Sequence, residues 1–330
     1  MPTDPTIPLR GRLAPSPTGA LHLGNARTFL IAWLSIRSRG GKLVMRLEDL
    51  DHPKVKPAAA DAACRDLRQL GLDWDEGDDC GGPHHPYRQS RRIAVYRAAL
   101  AQLRAAGLVY PCTCTRRDVT AGQSAPHAGD YHRYSGRCRH RYPDFPAAMA
   151  VTGPRRLPAW RFIAPDRDIT FVDGCCGPQT VNIARTAGDF VLARHPDGAG
   201  YQLAVVVDDA MMQITEIVRG DDLLPCTAWQ ILLYEALEYP VPTFIHVPLV
   251  VGPDGKRLAK RHGDTRISEL LQRGNTPEKI IGLLAWSCGW AEFGEALSPA
   301  DLLPRFSWST IPRQPLVIDD RLNRYLGLTT

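Results

Sequence analysis

Apolar positions in the first quarter of the chain change period twice. Ile7 to Leu13 is a short apolar-flanked run that predicts a strand. From Ala26 to Arg37, Phe29, Leu30, Trp33 and Leu34 fall on one face at helical spacing, which predicts a helix. Lys42 to Asp49 reads as a buried parallel strand ending in two acids. Pro57 to Leu70 is Ala-rich with a Gly71 stop and predicts a second helix, and the acidic, Gly-rich Asp73 to Gly82 predicts a loop. Tyr87-Arg-Gln-Ser90 opens a further helix to about Ala106, with Gln89 or Ser90 near its cap. Strand followed by helix followed by parallel strand is an α/β pattern.

Farther on the pattern is less regular. Ala159–Ala164, Asp168–Asp173 and Ala187–Arg194 predict short strands. Tyr201 to Val207 is a buried strand or helix edge, followed by Asp208 and Asp209. Thr215–Val218 predicts a strand and Thr227–Leu237 a helix. Thr243–Val251 predicts a strand ending in a Pro-Asp-Gly turn, and Pro277–Cys288 an amphipathic helix. No run is apolar and long enough to span a membrane, and Met-Pro-Thr-Asp-Pro lacks a basic-then-apolar signal, so a cytoplasmic address is the default expectation.

Composition changes this picture little. Net charge is +5, compatible with a nucleic-acid partner without requiring one. The nine cysteines are an odd, scattered set that argues against a disulfide framework. One cluster stands out: Tyr110-Pro-Cys112-Thr-Cys114, then about 20 residues rich in Gly, His and Arg, then Tyr134-Ser-Gly-Arg-Cys138. Three cysteines in a stretch without apolar periodicity point to a structural metal that staples it, against three free cysteines in a loop. Tyr134, His127, His132 and His140 are all candidates for a fourth ligand, and six arginines surround the cluster. The vicinal Cys175-Cys176 reads as packing.

The chemistry concentrates in the turn between the first strand and helix, Arg12-Leu-Ala-Pro-Ser16-Pro-Thr-Gly-Ala-Leu-His22-Leu-Gly24-Asn25. Two prolines stiffen it, Gly19 and Gly24 allow close backbone approach, and a helix N-terminus near Gly24 favours an anion. His22 adds a donor that can become cationic. This is a phosphate site, and it is not a Walker loop, because GxxxxGK[ST] is absent.

The stretch resembles the "HIGH" signature of class I aminoacyl-tRNA synthetases, and its Arg-x-Ala-Pro-Ser-Pro-Thr-Gly context resembles the glutamyl/glutaminyl branch. The second histidine of the signature is Asn25 here, which cannot carry charge. Arg46-Leu-Glu48-Asp49, Gly200-Tyr201-Gln-Leu and Ile217-Val-Arg219-Gly-Asp-Asp resemble further blocks of that branch. Arg257-Leu-Ala-Lys260-Arg261 stands on the five positions of its "KMSKS" loop, with Arg257 for the first lysine and Ala259 for the serine. The resemblance spans residue 9 to about 265. It implies that Arg12, Ser16, Glu48, Tyr201 and Arg219 hold glutamate. His22 and Lys260 would be catalytic and, with Gly24, Asn25 and Arg257, would hold ATP accompanied by Mg²⁺. The C-x-C…Y-x₃-C spacing resembles the zinc site of the glutamyl-queuosine tRNA(Asp) synthetase group, which selects Cys112, Cys114, Tyr134 and Cys138 as Zn²⁺ ligands.

The expected fold is α/β, a Rossmann-like parallel core with a zinc-bearing insertion and a small C-terminal helical domain. Residues 1–107 form the first half of the core and 108–187 the insertion with its acceptor contacts. The second half of the core spans 188–245, and the loop and stem-contact domain 246–330. The 67 residues after Gly263 leave no room for an anticodon-binding domain as well. The expected reaction is ATP-dependent formation of glutamyl-adenylate by a monomer, then transfer to queuosine in tRNA(Asp). The alternatives are a compact synthetase charging a tRNA 3′ end and an inactive RNA-binding paralogue.

Overall fold

The computed structural model describes residues 8–17, 19–50, 57–121, 133–153, 156–194, 198–256, 258 and 264–328. Strand β1 (Arg10–Leu13) runs through helix α1 (Leu23–Arg37) into β2 (Lys42–Met45), which pairs with β1 in parallel, Arg10 opposite Lys42 and Leu13 opposite Met45. The backbone beyond β2 keeps extending the sheet: Arg46 N–H donates to Leu13 O, and Glu48 N–H to Pro15 O. Helices α2 (Pro57–Gln69) and α3 (Ile93–Ala105) follow. Ser90 does not cap α3. Arg92 stands at that position, while the Ser90 amide and hydroxyl both donate to the Asp49 carboxylate.

The next stretch builds an antiparallel unit. It comprises β3 (Val109–Cys112), α4 (Arg116–Ala121), α5 (Phe145–Thr152), β4 (Ala159–Phe162), the hairpin β5 (Ile169–Asp173) and β6 (Gly177–Val181), α6 (Ile183–Thr186) and β7 (Phe190–Ala193). The sheet order is β3-β4-β7. Because β7 pairs with β4, this unit runs past the boundary expected at 187.

Tyr201–Met211 is a helix, α7, with no strand; the apolar run Leu203 to Val207 is buried on all sides, so its pattern carries no period. The parallel arrangement then resumes with β8 (Glu216–Gly220), α8 (Thr227–Ala236) and β9 (Thr243–Val247). Thr215 N–H donates to Arg10 O, setting β8 beside β1. The tail contains β10 (Val250–Val251), α9 (Ile267–Gln272), α10 (Pro277–Trp286), α11 (Pro299–Leu302), β11 (Leu316–Val317) and α12 (Asp320–Tyr325). Strands β10 and β11 pair in parallel.

One apolar core joins the first 75 residues to the tail. Helix α1 is buried nearly all round: beyond the expected face, Ile31, Ala32, Ser35 and Ile36 are covered as well, Ile36 lying against Gly11 of β1 and Ser35 donating to Glu216 of β8, while α10 and α11 also pack on the helix. Helix α10 in turn lies hard against the segment after it. A Cβ on Gly282 would sit 1.7 Å from the Glu295 carbonyl oxygen. A backbone oxygen cannot swing aside as a side chain can. Gly282→Ala is therefore expected to destabilise the fold by about 3 kcal/mol, read as a lower urea midpoint with unchanged slope. No helix among the described residues is long and apolar enough to cross a membrane.

Candidate active site and metal centre

A cavity of about 560 Å³ opens beyond the carboxyl ends of β1, β2 and β8, where open α/β sheets bind ligands. Arg12, Ser16, His22, Gly24, Asn25, Glu48, Tyr201 and Arg219 all line it, so four blocks far apart in sequence meet in one place. Arg257 and Lys260 lie outside the described residues; of the expected loop motif Leu258 alone is described, and it lines the cavity.

His22 stands at the N-cap of α1 with extended backbone angles. Its amide donates to Asn25 Oδ1 at 3.4 Å, so the residue replacing the signature's second histidine closes the helix turn. A Cβ on Gly24 would lie 3.3 Å from the His22 ring and from Val250 Cβ, which keeps this end of the helix close to its neighbours. The same turn is anchored from afar. Leu23 N–H donates to Thr265 O and Ile267 N–H to Leu21 O, and His22 and Arg266 form an antiparallel bridge.

The opposite wall is ionic. Glu48 is 8% exposed, and burial holds its carboxyl above the ordinary range although Arg46 and Arg12 oppose the shift. Arg46 is fully buried. It donates to Glu48 Oε1 at 3.0 Å and to Asp209 Oδ1 at 2.6 Å, and its Nε lies 3.8 Å from Asp208 Oδ2. Asp208 also accepts from Arg92, Gln89 and Tyr96. Arg12 donates to Val218 O at 3.0 Å, with Asp209 3.7 Å from its Nε; burial lowers its proton affinity. Removing one member of such a buried ionic set costs about 3–5 kcal/mol, so Arg46, Asp208 and Asp209 hold the wall rigid. The sequence shows Asp208 and Asp209 only as acids closing an apolar run. Their placement on the third turn of α7, facing Arg46, is a tertiary fact.

Arg219 closes the site from β8, 5% exposed. Its Nε donates to His246 Nε2 at 2.9 Å, Nη1 to Gln230 Oε1 at 2.8 Å and Nη2 to Thr227 Oγ1 at 3.0 Å. All three acceptors are neutral, so these bonds orient the guanidinium without cancelling its charge. The cavity thus offers a helix N-terminus suited to phosphate, a carboxylate suited to an ammonium, and an arginine suited to a carboxylate.

A second cluster sits in the antiparallel unit. Cys112, Cys114 and Cys138 bring three sulfurs within 4.8 Å of one another, Cys114 Sγ and Cys138 Sγ being 3.6 Å apart. Tetrahedral zinc at about 2.3 Å from each sulfur separates two sulfurs by roughly 3.8 Å, so the donor set fits that ion. The Tyr134 hydroxyl lies 3.3 Å from Cys112 Sγ and 3.7 Å from Cys114 Sγ, and accepts from the Cys138 amide. His140 is exposed and outside this group; His127 and His132 lie outside the described residues. Arg161 stacks on the Tyr134 ring at 3.8 Å and donates to Cys112 Sγ.

Residues 8–298 match the family described as tRNA synthetases class I (E and Q), catalytic domain. The chain belongs to this family. It is 49% identical over 312 residues to the glutamyl-Q tRNA(Asp) synthetase of Symbiobacterium thermophilum, covering 94% of this chain and 96% of that one. It is 40% identical to the glutamate–tRNA ligase of the same organism, of which it covers 67%. The crystal structure of glutamate-tRNA synthetase from Elizabethkingia anophelis superposes with a TM-score of 0.81 at 28% identity, over 97% of this chain and 70% of that one.

Proposed function

We propose that the chain activates L-glutamate with ATP and transfers it to the queuosine base of tRNA(Asp). The observation that carries the first half is the cavity itself, where the His22 turn faces Glu48 and Arg219 across one space. Glu48 takes the substrate ammonium, Arg219 pairs with a substrate carboxylate, and Arg12, Ser16 and Tyr201 help hold the glutamate. His22, Gly24 and Asn25 receive phosphates, together with Arg257 and Lys260 of the loop. The α-carboxylate oxygen of glutamate attacks the ATP α-phosphorus, and the bond to pyrophosphate breaks, leaving glutamyl-adenylate. No side chain acts as nucleophile; catalysis is positioning and charge stabilisation. Mg²⁺ accompanies ATP as part of the substrate.

A hydroxyl of the queuosine diol then attacks the activated carbonyl and AMP leaves. The acceptor is supported by likeness along the whole length: 96% of the glutamyl-Q relative is matched, against 67% of the glutamate–tRNA ligase. The Cys112, Cys114, Tyr134 and Cys138 cluster holds a structural zinc. Residues 108–187 carry RNA contacts through exposed arginines such as Arg117, Arg137 and Arg141 beside that zinc, and residues 246–330 contact the stem.

The test uses labelled glutamate, ATP and total tRNA, with the label located by nuclease digestion. Label in the tRNA(Asp) anticodon loop, and none on transcripts lacking queuosine, is the expected result. Robust glutamylation of an unmodified tRNA(Glu) transcript would replace this acceptor with a tRNA 3′ end. No exchange of pyrophosphate into ATP under any condition would leave an RNA-binding paralogue.

A further inference from the structure

We infer that Asp173 and His246 are positioning residues for Arg219, and that they set glutamate affinity through the tautomer of His246. The inference rests on the proposed role of Arg219 as the carboxylate-binding group.

Three elements converge here. Asp173 ends β5, Arg219 lies on β8 and His246 on β9, and the side chains of Asp173 and His246 are fully buried. Arg219 Nε carries a hydrogen and can only donate, so His246 Nε2 at 2.9 Å must be bare. The ring proton therefore sits on Nδ1, which donates to Asp173 Oδ2 at 2.6 Å. Burial, with the nearby Arg219 charge, holds His246 below its ordinary pKa despite Asp173, which keeps the ring neutral. The Thr227 hydroxyl lies 3.2 Å from the same Nε2 and accepts from Arg219 Nη2, so one tautomer organises two of the arginine's contacts.

The carboxylate's own orientation is fixed. Asp173 Oδ1 accepts the backbone N–H groups of Cys175, Cys176 and His246 at 3.0, 2.8 and 3.1 Å. In Asp173→Asn the amide oxygen keeps those three bonds, and the amide nitrogen takes the place of Oδ2. Nδ1 must then accept, the ring proton moves to Nε2, and two donors face each other across the Arg219 contact. Exchanging Asp for Asn beside a histidine is an established way to impose the wrong tautomer. Glutamine at position 246 supplies an accepting oxygen near the place of Nε2 and has no tautomer to lose.

The experiment is glutamate-dependent exchange of pyrophosphate into ATP, with total tRNA present and the two Michaelis constants measured separately. Asp173→Asn is expected to raise the glutamate constant at least about tenfold, the effect of a lost hydrogen bond to a charged group, and to leave the ATP constant within about twofold. His246→Gln is expected to stay within about threefold of the parent, and adding Asp173→Asn to it to change little more, a non-additivity that marks one chain of contacts. Unchanged glutamate dependence in Asp173→Asn, a parallel rise in both constants, or effects that multiply in the double variant would each overturn the inference. If Asp173→Asn does not fold, His246→Asn, too short to reach Arg219, set against His246→Gln decides the matter: equal glutamate constants reject the inference. A parent protein with no glutamate-dependent exchange rejects the functional proposal instead.

Discussion

Replacing Arg219 with alanine is expected to raise the glutamate requirement of adenylate formation by roughly 30-fold or more while ATP dependence stays nearly constant. The size follows from the loss of a charged partner in a desolvated pocket, about 2–5 kcal/mol, with tenfold for each 1.36 kcal/mol. The selectivity of the effect follows from geometry. Arg219 is held by Thr227, Gln230 and His246 on the β8–β9 side of the cavity. The turn around His22, proposed to face the phosphates, belongs to α1 and to the segment near Thr265. Separate Michaelis constants for glutamate and ATP check this, and ordinary glutamate affinity in the variant would remove Arg219 from the pocket.

Metal removal is expected to have the other large effect. Purified protein should contain about one zinc per chain, and Cys138→Ser should contain almost none. Binding by comparable small zinc sites is worth on the order of 10 kcal/mol, and the cluster here has few apolar neighbours of its own: Tyr110, Cys112, Tyr134 and Cys138 form its whole buried core among the described residues. Chelation should therefore open the segments that carry the cysteines, β3 with Thr113 to Thr115 and Tyr134 to Cys138, to proteases while the core joining α1 to α10 stays intact. Tyr134→Phe separates two roles of that residue. It keeps the ring under Arg161 and removes the oxygen, so lost zinc with a retained fold identifies a ligand. Zinc-free protein from every preparation, measured by elemental analysis, would end the metal reading.

What could be read in the chain beforehand has a physical boundary. The turn from Arg12 to Asn25, the acids after β2 and the cysteine spacing are local patterns, each carried by neighbours in sequence. The α/β order was legible for the same reason. Long-range pairings were not. Arg46 meets Asp209 across 163 positions and Arg219 meets His246 across 27, with Asp173 behind it. No local spacing encodes such encounters. Helix α7 escaped because a segment buried on every face loses the alternation that separates helix from strand. Helix α1 read as one-faced because its other contacts are long-range: Ser35 meets Glu216 across 181 positions and Arg27 meets Ser287 across 260. His246 gave one usable hint: a histidine inside an apolar strand needs a buried partner.

The backbone bonds between Leu23 and Thr265, and between Ile267 and Leu21, bear on how ATP meets the second signature. Lys260 is five residues from Thr265, and five residues of any conformation reach at most roughly 18 Å. A cation tethered within that radius has an effective concentration on the order of tens of millimolar near the His22 turn. On the role proposed for Lys260, chain connectivity to Thr265 supplies that charge without a search through solution. Loosening the Thr265 joint would lengthen that tether and dilute the charge with every lysine still in place.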